Sequence, residues 1–469
     1  MNRLMLLVTG LIGLSLVWSL PGHTYQNKPE YDLVPCCDYC EKVKHPEFYT
    51  TSYLKNFSML LKGKENWLFR SEKELTTEFG PEAEARRRLR VFSDRLRQHG
   101  TQLVMILPPT RGLVHPDKIP QDYYFDFTTA SDNYRHMVAN LRAEGIVIPD
   151  LSPLFAEEPS DKEFFFRRDH HWSPWGAQRT AKMVAEEVKK HPRYAALDKT
   201  EFESKQIGLM RKRGSLQVAW YRICDTRFAN QYVPEFRTEP KMDSGELDES
   251  SLFGDEGSDL PPVTLVGTSY SKGAAEYNFS GFLKEFLQLD VLNEAMAGGS
   301  YDGAMVQYLP SKDFQNNPPA FLFWEIPSYH KLNSEIFYRQ INGYMENGCR
   351  NKKAEFKQTT DLLKGNGEIL FNGGDVYQEF RGKGRILDVQ FSEPHVKKFK
   401  AEIWYTNGRK ERVKIEHSKR VDNQGRFVFF LQEENGWDDY NLLSVKLLGL
   451  DNMPYSASVT ASACWSQYQ

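Results

Sequence analysis

Apolar positions along this chain follow two different periods, and the change from one to the other divides it. Up to about residue 330, short uninterrupted apolar runs alternate with stretches of helical spacing. Ala85, Leu89, Phe92 and Leu96 fall on one face of a helix over 81–99, and Ala177, Ala181, Val184 and Val188 on one face of a helix opened by Pro174. A third helix over 130–144 can stop at Gly145. Between them lie runs that read as buried strands: Leu103–Leu107, closed by Pro108-Pro109, then Ile146–Ile148, Val263–Val266, Leu289–Leu292 and Ala320–Trp324, with a helix over 277–287. Continuous apolar strands alternating with helices predict a mostly parallel sheet covered on both faces. Ligands of such sheets bind beyond the carboxyl ends of the strands. Residues 191–262 are polar, rich in Arg, Asp and Glu, and read as an insertion.

Residues 339–364 read as a helix or linker, and from about Glu368 the period becomes two. Val389–Phe391, Phe399–Tyr405, Val413–Ile415, Phe427–Leu431 and Val445–Leu448 are short strands, and Asn407-Gly408 marks a hairpin. This predicts a β-sandwich of the carbohydrate-binding kind. In the strand 399–405, Phe399, Ala401, Ile403 and Tyr405 face the core, leaving Lys398, Lys400, Glu402 and Trp404 outside. A tryptophan near Lys400, Arg409, Lys410 and Arg412 suits an anionic sugar chain: the ring stacks on the sugar and the cations meet carboxylates. Lys400, Trp404 and Arg409 are the expected polysaccharide contacts. The plainer alternative is a solvated edge carrying one stray Trp.

The first residues bear on where these domains fold. Arg3 followed by the uncharged apolar run Leu4–Leu20 reads as an export leader over 1–24, cleaved near Tyr25. An uncleaved anchor is the alternative, since the run approaches the ~18–20 residues that span a bilayer. The rest of the chain has no comparable run. A net charge of −3 over 469 residues favours neither nucleic acid nor an anionic polymer, so any polyanion site must be local. Six cysteines (Cys36, Cys37, Cys40, Cys224, Cys349 and Cys464) would meet an oxidising compartment, where disulfides persist. Nothing near Cys36-Cys37-x-x-Cys40 completes a tetrahedral zinc site, so no metal is expected.

Candidate chemistry concentrates at Arg168-Asp169-His170-His171-Trp172-Ser173-Pro174. Ser173 can cap the following helix, and Pro174 fits its first position. Asp169 and His171 therefore sit on a loop entering a rigid element. Val263–Val266 runs into Gly267-Thr268-Ser269, which places a serine just past a buried strand, where a nucleophile is exposed. Each motif also has a plain reading, as surface histidines beside a cap and as an ordinary strand-to-helix turn.

Together the two motifs, with Gly63–Phe69 (GKENWLF) and Trp324-Glu325-Ile326-Pro327, resemble the SGNH-hydrolase-like acetyltransferases of polysaccharide biosynthesis. Ordinary SGNH hydrolases place the serine first; here Asp and His precede it, as in the permuted branch. Thr268 stands where those hydrolases usually carry Asp. The resemblance implies an acetyltransferase domain over 25–345 and a carbohydrate-binding sandwich over 346–469. It implies Ser269 as nucleophile, His171 as general base and Asp169 as the group that orients His171. The acceptor would be a mannuronate hydroxyl of alginate, in the periplasm, during alginate biosynthesis and export. Implied too are the disulfides Cys349–Cys464 and Cys40–Cys224. Gly299, Asn293 and Tyr329 are candidates for the oxyanion site or its surroundings, beside the Ser269 amide. No cofactor and no nucleic acid is expected. The expected partners are the polymer and other proteins of the acetylation and export machinery, around a monomer. Two other functions fit the same residues: an acetyl esterase on the same polymer, and a binding component of an export complex whose triad is idle.

Overall fold

The computed structural model describes residues 40–155, 162–241, 260–362, 367–432, 434, 436–437, 439–449 and 458–468. The leader, with Cys36 and Cys37, lies outside them. Among the described residues no helix is long and apolar enough to cross a membrane.

The first half is built on a four-stranded parallel sheet. Its strands are β3 (Gln102–Ile106), β6 (Val263–Val266), β7 (Val291–Asn293) and β8 (Phe321–Glu325), in the order β3-β8-β6-β7. Every residue of β3, β6 and β8 is buried, as unbroken apolar runs require when helices cover both faces. Those helices are α1 (Ala83–Gln98), α2 (Phe127–Ala143), α3 (Pro174–Val188) and α5 (Phe279–Leu287). The faces Ala85-Leu89-Phe92-Leu96 and Ala177-Ala181-Val184-Val188 are buried in one continuous core with the sheet. Two strands, β1 (Leu60–Lys62) and β2 (Leu68–Arg70), form a small antiparallel hairpin ahead of it.

Three sequence expectations change. Ile146–Ile148 makes only an isolated parallel bridge, Val104 to Val147, and no strand; Pro149 follows at once and has no N–H to continue a ladder. The helix expected over 277–287 begins at Phe279, after a short turn of helix at Ala274–Tyr277. The polar stretch 191–262 is ordered over much of its length: β4 (Phe202–Lys212) and β5 (Gln231–Pro240) make a long antiparallel pair, and α4 (Ser215–Cys224) lies between them. Charged residues hid these elements because a two-stranded ribbon exposes much of its surface. Helix α4 packs Leu216, Ala219, Trp220 and Ile223 against Tyr49, Leu54, Phe57 and Leu60, a satellite core tied by the disulfide Cys40–Cys224.

Helix α6 (Glu335–Met345) then leads to two facing four-stranded antiparallel sheets. One has the order β14-β11-β16-β9, the other β10-β15-β12-β13. The strands are β9 (Phe356–Asp361), β10 (Glu368–Phe371), β11 (Arg385–Phe391), β12 (Lys398–Tyr405), β13 (Lys410–Glu416), β14 (Arg426–Phe430), β15 (Leu442–Leu447) and β16 (Ser458–Trp465). The β region therefore starts at Phe356, earlier than its pattern suggests. Strand β9 alternates half-buried with exposed residues and lacks the apolar run that would mark it. Disulfide Cys349–Cys464 joins the chain just after α6 to the last strand. The sandwich is seated on the first domain by α6: Arg339 Nε donates to the Phe430 carbonyl at 2.7 Å, and Arg88 of α1 binds Glu434 at 2.7 Å.

Removing the Cys40–Cys224 bridge, which closes a separation of 184 residues, should release a large loop in the unfolded chain. The double variant Cys40→Ser/Cys224→Ser is expected to lose about 2–4 kcal/mol of stability. Urea unfolding beside the parent checks this, and an unchanged midpoint would show the bridge to be thermodynamically idle.

Candidate active site

Strand β6 delivers Ser269. The chain leaves the sheet at Gly267, Thr268 caps a helical turn over Ser269–Lys272 by accepting the Tyr270 N–H at 3.2 Å, and Ser269 stands partly exposed at its first position. The Ser269 N–H has no acceptor among the described residues, as expected for an amide in a first helical turn. Gly267 is required by close approach: a Cβ there would lie 2.8 Å from Glu325 Oε2.

The loop before α3 delivers the other two groups. Ser173 caps α3 through the N–H groups of Trp175 and Gly176, at 3.1 and 3.3 Å. Asp169 Oδ1 accepts the His171 backbone N–H at 3.0 Å and lies 2.5 Å from His171 Nδ1. With Nδ1–H donated to Asp169, the lone pair on Nε2 accepts the Ser269 hydroxyl at 2.7 Å. The three residues thus form one hydrogen-bonded line, able to remove the serine proton and hold it on a histidine flanked by a carboxylate.

Electrostatics separates the two adjacent histidines. Burial alone would raise the Asp169 carboxyl, but the charge and hydrogen bond of His171 outweigh it and hold the group well below the usual carboxylate range. Burial, then the neighbouring His171 and Arg70 charges, push His170 well below an ordinary histidine, so it is neutral. His170 turns away from Ser269: its Nδ1 meets Ser215 Oγ at 2.6 Å and its ring packs against Phe57.

Three supporting groups were not assigned a role from the sequence. Ser215, the first residue of α4, donates its N–H to Asp169 Oδ2 at 2.6 Å, so the carboxylate sits at a helix N-terminus. Gly214 makes this possible, since a Cβ there would lie 1.9 Å from the Arg168 carbonyl oxygen. Arg111, just after β3 and 1% exposed, donates to the carbonyls of Leu68, Phe166, Arg167 and Asp169 at 2.6–3.0 Å. Its guanidinium lies over Trp67 and Phe69, which gives the GKENWLF segment its structural task. Glu325, at the end of β8, accepts the Thr268 N–H at 2.9 Å, the Thr268 hydroxyl at 3.0 Å and the Ser271 hydroxyl at 3.0 Å. It therefore clamps the turn that carries Ser269. An acidic residue closing an apolar strand was the available signal.

The other expected site residues have other partners. Asn293 donates to the Ser271 carbonyl at 2.9 Å and accepts from the Ala295 N–H at 3.1 Å, bracing the serine turn. The Gly299 amide donates to Met296 O at 3.4 Å, and Tyr329 accepts from Arg70 at 3.5 Å. Neither residue is hydrogen-bonded to Ser269 among the described residues. Asp169, His170 and His171 offer ligand atoms close enough for a metal, but His171 already spends both ring nitrogens on Asp169 and Ser269.

On the sandwich, Lys400 and Trp404 lie on the outward face of β12, and Arg409 in the β12–β13 turn. Trp404 is half-buried, with the Lys410 ammonium 4.7 Å from its ring centre. Lys410 and Arg412 both pair with Glu402, and Lys398 and Lys414 with Glu416. Arg409 lies over Tyr440, at 5.0 Å.

Comparison with known proteins agrees with this layout. Residues 60–328 match the model of the SGNH hydrolase-like domain of acetyltransferase AlgX, and residues 348–469 that of a C-terminal carbohydrate-binding module. Alginate biosynthesis protein AlgX of Pseudomonas syringae pv. tomato is 41% identical over 438 residues, 93% of this chain and 90% of that protein. Its Pseudomonas aeruginosa counterpart is 40% identical over the same shares. A solved structure of Pseudomonas aeruginosa AlgX superposes with a TM-score of 0.80, at 39% identity, over 91% of this chain and 99% of that one. The probable alginate O-acetylase AlgJ of Pseudomonas fluorescens is 30% identical over 58% of this chain and 69% of its own length.

Burial raises the Glu325 carboxyl from 4.5 to about 7, against the lowering effect of its hydrogen bonds from Thr268 and Ser271. Below pH 4.5 the group is protonated in both folded and unfolded chains. Between 4.5 and 7 the unfolded chain releases the proton that the folded chain retains, so stability falls as pH rises; above 7 the loss is complete. Relative to Glu325→Gln, the parent is expected to lose about 3 kcal/mol across that window. Thermal or urea unfolding of both proteins from pH 4 to 8 measures it, and a pH-independent difference would contradict it.

Proposed function

The chain belongs to the AlgX family of SGNH hydrolase-like acetyltransferases, and on that premise we propose that it transfers acetyl groups to mannuronate hydroxyls of alginate through an acetyl-Ser269 intermediate. The observation that carries this reading is the unbroken line from Asp169 through His171 to Ser269 Oγ. Ser269 Oγ attacks the carbonyl carbon of an acetyl ester as its proton passes to His171 Nε2. Asp169 holds the ring in the Nδ1–H form and stabilises the imidazolium. The departing alkoxide takes the proton from His171, leaving acetyl-serine. A sugar hydroxyl then gives its proton to His171 and attacks the acetyl carbon, and Ser269 Oγ leaves and is reprotonated. The Ser269 N–H supplies one donor for the tetrahedral oxyanion in each half-reaction.

The proposal extends to organisation. Residues 25–345 form the transferase domain, 346–469 the polymer-binding sandwich, and 1–24 an export leader. The mature protein works in the periplasm, where the disulfides Cys40–Cys224 and Cys349–Cys464 persist, beside other components of the acetylation and export machinery. Lys400, Trp404 and Arg409 hold the polymer on the sandwich.

Ser269→Ala and His171→Ala should each abolish transfer to polymannuronate, with comparable losses, because members of such a unit act together. Asp169→Ala should follow. Retention of near-normal transfer by His171→Ala, with loss in His170→Ala, would reassign the base. Incubation with an acetyl-ester donor and polymannuronate reads the outcome directly: free acetate with no acetylated polymer means an esterase, and full polymer acetylation by Ser269→Ala means an idle triad.

Acceptor length provides a separate expectation. A second holding site raises the local concentration of hydroxyls for long chains only. Acetylation rate should climb with oligomer length in the parent and climb less in Trp404→Ala. An identical length dependence in the two proteins would return Trp404 to an ordinary surface aromatic.

A further inference from the structure

The end of β4 carries Arg211 and Lys212, Arg213 follows directly, and burial alternates along the three. Lys212 turns inward. It is buried, its ammonium donates to the Tyr277 hydroxyl at 3.2 Å and pairs with Glu276, and the Tyr277 ring stacks on His171. Arg211 and Arg213 are exposed on the opposite side. There they line a cavity of about 210 Å³ with Arg227, Tyr221, Gln217 and Asn230. Among the described residues, none that lines it is acidic.

This distinguishes the cavity from the other basic surfaces. The cations around Trp404 are largely committed, Lys410 and Arg412 to Glu402, Lys398 and Lys414 to Glu416. The Arg-rich cleft between α1 and α6 contains Glu84, Glu335 and Glu434, which bind its arginines. In contrast, neither Arg211 nor Arg213 pairs with a carboxylate among the described residues. The cavity floor is built rather than incidental. Arg227 is stacked over Tyr221 at 4.6 Å and donates to its hydroxyl at 3.1 Å, and buried Gln217 is fixed by the Phe228 carbonyl at 2.6 Å. A guanidinium group held in this way presents a planar fork that matches a carboxylate.

We propose that Arg211, Arg213 and Arg227 form a carboxylate-binding cup for the uronate units of an anionic polysaccharide. The choice of a uronate rests on the acetyl-transfer reading above; the cup itself rests on geometry. Its position ties it to the triad through one short stretch of chain. Arg213 is followed by Gly214, jammed against the Arg168 carbonyl, and by Ser215, whose N–H holds Asp169. A polymer gripped here is anchored on the scaffold that orients the base. The cup and the sandwich face would then hold one chain at two places.

The test uses the mature full-length protein in a Ser269→Ala background, so that no acceptor is consumed. Binding of short polymannuronate oligomers and of uncharged mannan oligomers is measured by calorimetry at several salt concentrations. Replacing Arg211, Arg213 and Arg227 together by Gln should weaken polymannuronate binding by about tenfold per arginine lost and flatten its salt dependence. Arg213→Lys, which keeps the charge and loses the fork, should fall between parent and Arg213→Gln. Thermal melting of each variant confirms that it is folded. Equal polymannuronate affinity in parent and triple variant overturns the cup, as does equally tight binding of uncharged mannan by the parent. Neither result touches the acetyl-transfer reading. That reading fails on its own if Ser269→Ala still acetylates polymer, in which case binding at the cup is unaffected.

Discussion

A carboxylate taken out of water and set beside a histidine persists only if both its oxygens are paired. Asp169 meets that condition with groups from three sources. Oδ1 takes the backbone and ring N–H of His171, Oδ2 takes the N–H of Ser215, and the Asp169 carbonyl is held by Arg111. Each donor comes with its own support: the α3 cap, the start of α4, and the stretch just after β3. Once Asp169 is fixed, the imidazole has one orientation, and that orientation points Nε2 at the end of β6. Much of the α/β domain serves to bring these supports together without water between them.

The satellite core is part of the same constraint. Helix α4 is short, and alone it would be marginal in water. It is held by its apolar face on Leu54, Phe57 and Leu60 and by the bridge from Cys224 to Cys40. Phe57 also meets the edge of the His170 ring. A disulfide far from the serine in sequence therefore bears on the helix end that holds the Asp169 carboxylate. Glu325 performs the corresponding task from the other side, with three donors of the serine turn on one buried carboxyl. The site is framed by two buried carboxylates of opposite behaviour. Asp169 is held ionised by His171, whereas Glu325, surrounded by neutral donors, holds its proton to about pH 7.

The charge distribution follows from the near-zero net charge of the chain. With acids and bases almost balanced, basic residues on open sheet faces find acidic neighbours, as Glu402 and Glu416 show on the sandwich. Basic side chains stay open only where geometry keeps acids away. Arg211 and Arg213, beside α4, pair with no carboxylate among the described residues.

Elements whose signal is local could be read from the residues alone. Unbroken apolar runs required a buried parallel sheet, because only a covered sheet hides both faces of a strand. Alternation from Lys398 to Tyr405 assigned the faces of β12, and Ser173-Pro174 set the start of α3. Asp169, His171 and Ser269 could be named because their types and flanking elements limit what they do. That they meet depends on the fold, since a separation of 98 residues between His171 and Ser269 carries no distance. The fold also decided the supports. Ser215 acts through a backbone N–H, which has no residue signature. Arg111 acts on four backbone carbonyls, and a carbonyl oxygen has no residue signature. The polar segment that supplies α4 showed no regular period, because its ribbon is largely open to solvent and its helix is stabilised by residues near position 50. Asn293, Gly299 and Tyr329 illustrate the reverse limit: residue type made each a candidate for the oxyanion site or its surroundings, and the hydrogen-bond partners each has are fixed by packing that no spacing encodes.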